Sequence, residues 1–297
     1  MAAASPEDDE IRIRALTIAV TSDITTPHQV HGALSLRGGY EFGCFQRASQ
    51  TKSTLFSDLR RLYLFLDDHG LLIERIDCSG FKEVHVTGNT ANALDGKIRV
   101  NRSAFRNGRD GLIVESGGFD VLIENSLFIG NGDASYGAGL SVRGLPNLTH
   151  TSAVRIVNNT VVDNRLGIHI LSQWPDAPGP IVEVSNVISH GNVLADLLLE
   201  RETLLRYSTI GLIDWIGTGV LNGHGTSNLG IDPQLDASYR PLPGSHVIDT
   251  GIDSAFPGLS IYTATDYAGL NRRLGARVDR GAFEYSGARV TKSGPLK

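Results

Sequence analysis

The amino-acid sequence predicts an all-β protein built as a parallel β-helix, a solenoid in which every coil adds one strand to each of several sheets. Three observations predict it. A short sequence motif of apolar and Asn residues repeats between residues 98 and 200, and self-similarity of this kind is typical of solenoids. The apolar residues are mainly Ile, Val and Leu in short runs, which favours strands over helices. Turns rich in Asn and Gly separate these runs, and Gly occurs 34 times in the chain.

The repeated phrase has four copies, of which the fourth is the loosest. The copies begin at Ile98, Val121, Val154 and Val182. Alignment of Phe105, Phe128, Val161 and Ile188 gives spacings of 23, 33 and 27 residues. A period near 23 residues with several short strands indicates three sides to each coil. The extra residues fall in turns, at 132–136, 145–151 and 173–180, where stacked coils tolerate insertions.

Equivalent residues of successive coils are predicted to stack in rows, because parallel strands lie about 4.8 Å apart. The inward rows are Ile98/Val121/Val154, Val100/Ile123/Ile156, Phe105/Phe128/Val161, Leu112/Leu140/Ile168 and Val114/Val142/Ile170. Asn107, Asn131 and Asn164 are predicted to occupy the turns. Asn tolerates left-handed backbone there, and its side chain can bond the neighbouring coil.

One domain is predicted to span residues 1–285, followed by a tail at 286–297. N-terminal coils cover 11–97, the regular repeats 98–200, and the last coils with an irregular cap 201–285. Strands outside the regular repeats are predicted at 11–20, 33–40, 62–66, 70–76, 82–87 and 205–211, and residues 41–56 are predicted to be irregular. The cap is expected because the last coil of a solenoid otherwise exposes strand edges.

Composition narrows the class of protein. Hydrophobic residues make up 41% and charged residues 20% of the chain, which is typical of a folded globular protein. The net charge is −5 without a basic stripe, which argues against nucleic acid as a partner. We expect neither a secretory signal at the acidic N-terminus nor a membrane span. Cys44 and Cys78 form either a disulfide or two separate buried thiols.

Several phrases resemble the right-handed parallel β-helix repeats of the pectate-lyase-like superfamily. The pattern Asn-Asn-Thr-Val-x-x-Asn-x-x-Gly-Ile at 158–168 carries the resemblance within the repeats. The runs at 231–251 and 278–285 look like the C-terminal end of uncharacterised bacterial secreted or surface β-helix proteins, and Leu-Arg-Gly-Gly-Tyr at 36–40 is similar to their opening coil. The likeness covers about residues 30–285. It implies a right-handed helix of about eight coils in an extracellular or cell-surface protein.

The resemblance implies polysaccharide or oligosaccharide as a partner, but it does not fix an activity, because the superfamily includes lyases, hydrolases and non-catalytic adhesin-like proteins. Its lyases use a Lys or Arg base, often with Ca²⁺. Here Lys97 is the only Lys among the repeats and no acidic cluster resembles a Ca²⁺ site, so no cofactor or metal is assigned. Hydrolysis needs two carboxylates, and Asp133, Asp163 and Asp176 are explained as turn residues.

One outward row could carry nucleophilic chemistry. Alternation places Ile113, Ser141 and His169 in a row, and Asp196 continues it if a one-residue slip is absorbed at 191–192. Nucleophile, base and orienting acid would then lie on successive coils, an order that suits ester cleavage. The alternative is a strand face that is polar only for solvation. The adjoining row pairs Glu115 with Arg143, a candidate binding pair that an ion pair between coils also explains.

Passive binding is the third hypothesis for the same face. Tyr136 and Trp174 lie in the two inserted loops beside it and could hold sugar rings. The sequence therefore predicts a carbohydrate-interacting protein that either binds, cleaves or de-esterifies polysaccharide. A non-catalytic structural or adhesion module is the alternative, and the oligomeric state is left open.

Overall fold

Apolar side chains at every second position form short strands, and residues with left-handed backbone bend the chain between them. The computed structural model describes residues 9–14, 17–20, 22–25, 34–40, 52–57, 60–66, 70–88, 96–116, 119–144, 153–171, 181–217, 219–253 and 265–287. These residues form three parallel sheets, which we name A, B and C, and each coil contributes one strand to each sheet in that order.

The strands are numbered in chain order. Sheet A contains β1 (Asp9–Arg14), β4 (Leu34–Tyr40), β7 (Leu71–Glu74), β10 (Lys97–Asn101), β13 (Asp120–Glu124), β16 (Ala153–Val157), β19 (Ile181–Ser185), β22 (Thr203–Arg206) and β25 (Leu221–Asn222). Sheet B contains β2 (Thr17–Val20), β5 (Ser53–Ser57), β8 (Ile76–Ser79), β11 (Ala104–Arg106), β14 (Leu127–Ile129), β17 (Thr160–Val162), β20 (Ile188–His190), β23 (Thr209–Ile210) and β26 (Asn228–Leu229). Sheet C contains β3 (Ile24–Thr25), β6 (Arg61–Leu66), β9 (Glu83–Gly88), β12 (Asp110–Glu115), β15 (Ala138–Arg143), β18 (Leu166–Leu171), β21 (Ala195–Leu199) and β24 (Ile213–Trp215). A single turn of 3₁₀ helix covers His224–Thr226.

The described strands make eight complete coils and the first two sides of a ninth. The predicted all-β, right-handed parallel β-helix of about eight coils is confirmed. Three predicted elements differ in detail. Residues 11–20 form two strands in different sheets, and residues 41–56 include most of β5. The strands at 62–66 and 70–76 follow one another around a corner, from sheet C to sheet A. Period-two alternation identifies a strand but does not reveal where a coil turns.

The predicted inward rows form the core. Register pairs Ile98 with Val121 and Val121 with Val154, and these side chains are 0–1% exposed. Phe105 and Phe128 stack with ring centroids 5.2 Å apart and an interplanar angle of 8°. Side chains at equivalent positions of adjacent coils are similar in shape and stack on each other. Each coil therefore buries its apolar residues against the coils on both sides.

The turn between sheets B and C contains a ladder of buried amides. Asn164 donates from its backbone N and from Nδ2 to Oδ1 of Asn192, and Asn131 does the same to Oδ1 of Asn164, all at 2.9 Å. Asn107 occupies the equivalent turn, as predicted, but it does not belong to this ladder. It occupies the preceding, left-handed position with φ of 53°. Gly108 is the residue in register, and its backbone N donates to Asn131.

Residues 231–253 and 265–287, here called the strap, are irregular as predicted for a cap, but they also run along the outside of the solenoid. The strap crosses sheet B from the third coil to the eighth. Its contacts in that order are Tyr267 Oη to Asp77 Oδ1 (3.0 Å), Arg272 Nε to Asn125 Oδ1 (2.8 Å), Ala282 N to Thr160 Oγ1 (2.9 Å), Gly281 N to Asn186 O (2.7 Å) and Arg280 Nη1 to Ser208 O (2.8 Å).

The strap covers an apolar outer face of sheet B. Leu127, Ile129 and Val162 point outward, yet they are buried beneath Tyr267 and Phe283. Cys78 lies inside the solenoid as a free thiol, and burial raises its pKa. Cys44 lies outside the described residues.

Candidate functional site

The outer face of sheet C carries Ser, His, Glu and Arg side chains, and it holds most of the predicted site residues. Strand register places Tyr63, His85, Ile113, Ser141, His169 and Leu198 in one outward row. The residues on each side of Ser141 and His169 point into the core, so both side chains lie on the outer face.

Ser141 and His169 are direct register partners on β15 and β18, as predicted. Asp196 does not continue their row. His169 pairs with Leu198, and Ile168 pairs with Leu197, so the predicted one-residue slip does not occur. Asp196 instead closes the turn before β21, where it accepts hydrogen bonds from Asn192 N at 2.9 Å and Leu212 N at 2.6 Å. Its role in the structure is that of a turn cap.

The acid partner of His169 is Glu200, at the end of β21. Nε2 of His169 lies 3.0 Å from Oε1 of Glu200. Burial lowers the pKa of His169 and outweighs the opposing effect of Glu200, so the ring is neutral at pH 7. A carboxylate accepts hydrogen bonds, so the contact with Glu200 assigns the ring hydrogen to Nε2. Nδ1 is then the basic nitrogen.

Glu115 and Arg143 form the predicted ion pair between coils. Arg143 Nη1 lies 3.8 Å from Glu115 Oε1. His85 Nε2 lies 3.3 Å from the same oxygen, without the alignment of a hydrogen bond. Burial by itself raises the pKa of Glu115, but His85, Thr87 and Arg143 together lower it. Glu115 is therefore ionised and links two coils of the face.

A second group of charges lies near the start of the sheet C strands, around Glu83. Arg61 Nε lies 3.1 Å and Arg109 Nη2 3.3 Å from the Glu83 carboxylate, and Tyr63 Oη donates to it. Burial and the nearby Glu83 raise the pKa of Tyr63. The sequence reasoning missed this group because its members come from three coils with irregular spacing.

Tyr136 lies on the turn that leads into β15, and its side chain is 71% exposed. Gly137 of the same turn packs against the backbone of Arg109, which places the turn next to the charges around Glu83. Trp174, predicted to wall the other side of the face, lies outside the described residues.

The sequence carried a signal for Glu200. Placement of residues 196–199 onto 167–170 without a slip puts Leu198 beside His169, and Glu200 then follows two positions later on the same face. Period-two alternation puts Asp196 and Glu200 on the same face, one on each side of Leu198, and the structure pairs His169 with Glu200.

Among the described residues, no group of three or more His, Cys, Asp or Glu side chains is placed to hold a metal ion. Within the same ranges, no helix has the length and apolar character needed to cross a membrane. Comparisons of the chain with protein-family models, with curated proteins and with solved structures found no match.

Proposed function

We propose that this chain binds an extended polysaccharide along the outer face of sheet C. The observation that carries the proposal is a strip of polar and charged side chains that crosses five successive coils, from Tyr63 on β6 to His169 on β18. Successive coils are about 4.8 Å apart, a repeat close to the length of one sugar unit. A glycan laid across the strands would therefore present similar groups to each coil.

The chemistry of the strip suits sugar hydroxyls. Ion-paired guanidinium and carboxylate groups, such as Arg143 with Glu115 and Arg109 with Glu83, supply donors and acceptors that are already oriented. Such preorganised groups lose little side-chain entropy when a ligand binds. Tyr136, which is exposed at the edge of the strip, offers an aromatic surface with a polar end of the kind found where one side is apolar and the other wet.

The same proposal includes membership of the pectate-lyase-like superfamily and a place outside the cell or on its surface. Its support is the resemblance of residues 231–251 and 278–285 to the ends of secreted β-helix proteins. The strap formed by these residues crosses six coils, which protects the solenoid along its length. Labelling of intact cells by an antibody against the chain would test the location.

Binding is tested with a glycan array probed by the purified full chain, followed by titration calorimetry with the best ligand. Tyr136→Ala is expected to weaken binding about five-fold, the loss of roughly 1 kcal/mol, and Glu115→Gln is expected to weaken it as well. Arg273→Ala, an exposed change on the strap, is the matched control and should leave Kd unchanged. Absence of any glycan ligand, or equal Kd values for all three variants, would refute the proposal.

A non-catalytic structural module is the second candidate function. The observation in its favour is that the charges of the face pair with one another, as Glu83 does with two arginines, so they stabilise stacking without any ligand. This candidate predicts that Glu115→Gln lowers the melting temperature and changes nothing else. Retained thermal stability with weakened glycan binding would decide against it.

A further inference from the structure

We propose that Ser141, His169 and Glu200, assisted by Arg143, hydrolyse an acyl ester carried by the bound polysaccharide. This inference rests on the proposed function, because the strip of sheet C must first hold the glycan. It assigns a substrate class, short-chain sugar esters, and gives Glu200 the role that the sequence analysis had assigned to Asp196.

The geometry follows the order of a nucleophile, a base and an orienting acid. Ser141 and His169 face outward from adjacent strands in direct register, about 4.8 Å apart at the backbone, within reach of a side-chain hydrogen bond. On the far side of the ring, His169 Nε2 is held 3.0 Å from Glu200 Oε1. Glu200 thus fixes the tautomer that leaves Nδ1 free to accept a proton, which is the task of the acid in such an arrangement.

The Ser141 hydroxyl is available for this role. Within the described part of the chain it has no hydrogen-bond partner, and the residue is 3% exposed at the floor of the face. Ser126, by contrast, is committed to the turn through its hydroxyl bond to Glu124 O at 2.8 Å. A hydroxyl beside a histidine that can accept its proton is the setting in which a serine is activated.

Arg143 provides the group that would stabilise negative charge on the acyl oxygen. It lies two residues after Ser141 on β15 and therefore on the same face. Its Nε atom is buried and makes no hydrogen bond among the described residues. A buried donor without an acceptor is costly, and the oxyanion of a tetrahedral intermediate would satisfy it.

Two apolar side chains in the same row define the size of the acyl group. Ile113 lies beside Ser141, and Leu198 lies beside His169, with 2% and 7% of their surfaces exposed. Apolar contacts on both sides of the reacting pair favour a small acyl group such as acetyl over a charged one.

The reaction balances with water as the second substrate. Ser141 Oγ attacks the acyl carbonyl, its proton passes to His169 Nδ1, and the carbon–oxygen bond to the sugar breaks. The sugar oxygen takes the proton from His169 and leaves as an alcohol. Water then attacks the acyl-Ser141 ester, giving its proton to His169. The Ser141 oxygen leaves, recovers that proton, and a carboxylic acid is released.

The test uses acetate release from acetylated polysaccharide by the full chain, together with labelling by a fluorophosphonate probe and peptide mapping. We expect the probe on Ser141, and a loss of acetate release on the order of 10³-fold in Ser141→Ala and His169→Gln. Glu200→Gln should slow labelling and shift its pH profile, and Glu200→Asp should restore part of the rate. These last readouts distinguish a positioning residue from a structural one.

Ser141→Ala should still bind the de-acetylated glycan, and its melting temperature should match that of the unchanged chain. Glycan binding without acetate release and without labelling of Ser141 would overturn the esterase and leave the binding function standing. Labelling of Ser141 with no glycan bound would instead support the esterase chemistry and overturn the polysaccharide as its carrier. Probe attachment at a residue other than Ser141 would refute the assignment of the nucleophile.

Discussion

Nη1 of Arg272 lies 3.1 Å from Oε1 of Glu284, and their side chains are only 4% and 0% exposed. Arg272 also donates from Nε to Asn125 of the solenoid at 2.8 Å. The pair therefore joins two parts of the strap and fastens both to the fifth coil. This contact lies over sheet B, which the strap covers. The candidate site lies on another sheet, sheet C, which carries the polar strip.

Removal of the Arg272 guanidinium group should weaken the attachment of the strap to the solenoid. Arg272→Ala leaves Glu284 buried without its partner, and breaking a buried pair in this way costs about 3–5 kcal/mol of unfolding free energy. Urea denaturation measures the change. Arg273→Ala at the next position removes an exposed ion pair, 64% exposed on the arginine side, and is expected to cost less than about 1 kcal/mol. Equal losses in the two variants would contradict the role given to Arg272.

Stability should fall as pH rises through the titration of Glu284. Burial raises the pKa of Glu284 to about 7, against the opposing effect of Arg272. The folded state then binds a proton that the unfolded state has released, so the stabilising contribution is complete below the ordinary pKa near 4.5 and is lost as pH approaches and passes 7. The change is at most about 3 kcal/mol. Denaturation of the unchanged chain and of Glu284→Gln across pH 4–8 should show this slope only in the former.

The amide ladder should be intolerant of substitution. Asn164 is fully buried, and its Nδ2 donates to Phe128 O at 3.0 Å as well as to Asn192. Asn164→Ala leaves several buried groups unsatisfied, and we expect a loss of roughly 2–4 kcal/mol. Asp163→Asn, at the exposed left-handed position beside it, should stay within about 0.5 kcal/mol, because Asn tolerates that backbone. Hydrogen exchange would be expected to rise in the coils on both sides of Asn164; unchanged exchange there would argue against a ladder.

Asp196 should matter for folding and not for catalysis. Asp196→Ala removes the acceptor for Asn192 N and Leu212 N, with an expected loss of roughly 2–4 kcal/mol. Fluorophosphonate labelling of Ser141 in the folded variant should keep its rate. A folded Asp196→Ala protein that no longer labels would return Asp196 to the relay in place of Glu200.

Much of the fold follows from the sequence because inward rows repeat. The spacing from Phe105 to Phe128 to Val161 aligns the coils, and the structure confirms the stacking that this alignment predicts. The two Asn of the ladder at 131 and 164 were predicted to share a turn and do so. Asn107 was predicted to occupy a turn with left-handed backbone and does so, one residue before the position of the ladder.

The candidate site was only half predictable. Ser141 and His169 follow from alternation within regular repeats, as does the pairing of Glu115 with Arg143. The identity of the acidic residue could not be predicted, because the fourth repeat matches the other three least well. Its register across the turn depends on the hydrogen bonds that Asp196 accepts from Asn192 and Leu212. Asp196 and Glu200 lie on the same face of the strand, four residues apart, so alternation alone does not choose between them, and the register of β21 with β18 decides.

The sequence by itself determined the repeat, the three-sided coil and the apolar rows, because each of these depends on contacts between equivalent residues of neighbouring coils. Tertiary structure alone decided that the strap covers the outer face of sheet B. The strap returns over sheet B through partners far away in the chain, such as Tyr267 with Asp77 and Arg272 with Asn125. Such contacts leave no periodic trace in the sequence, since they join an irregular segment to six coils at once. They cover the apolar face of sheet B, whereas the polar strip that carries the candidate site lies on sheet C.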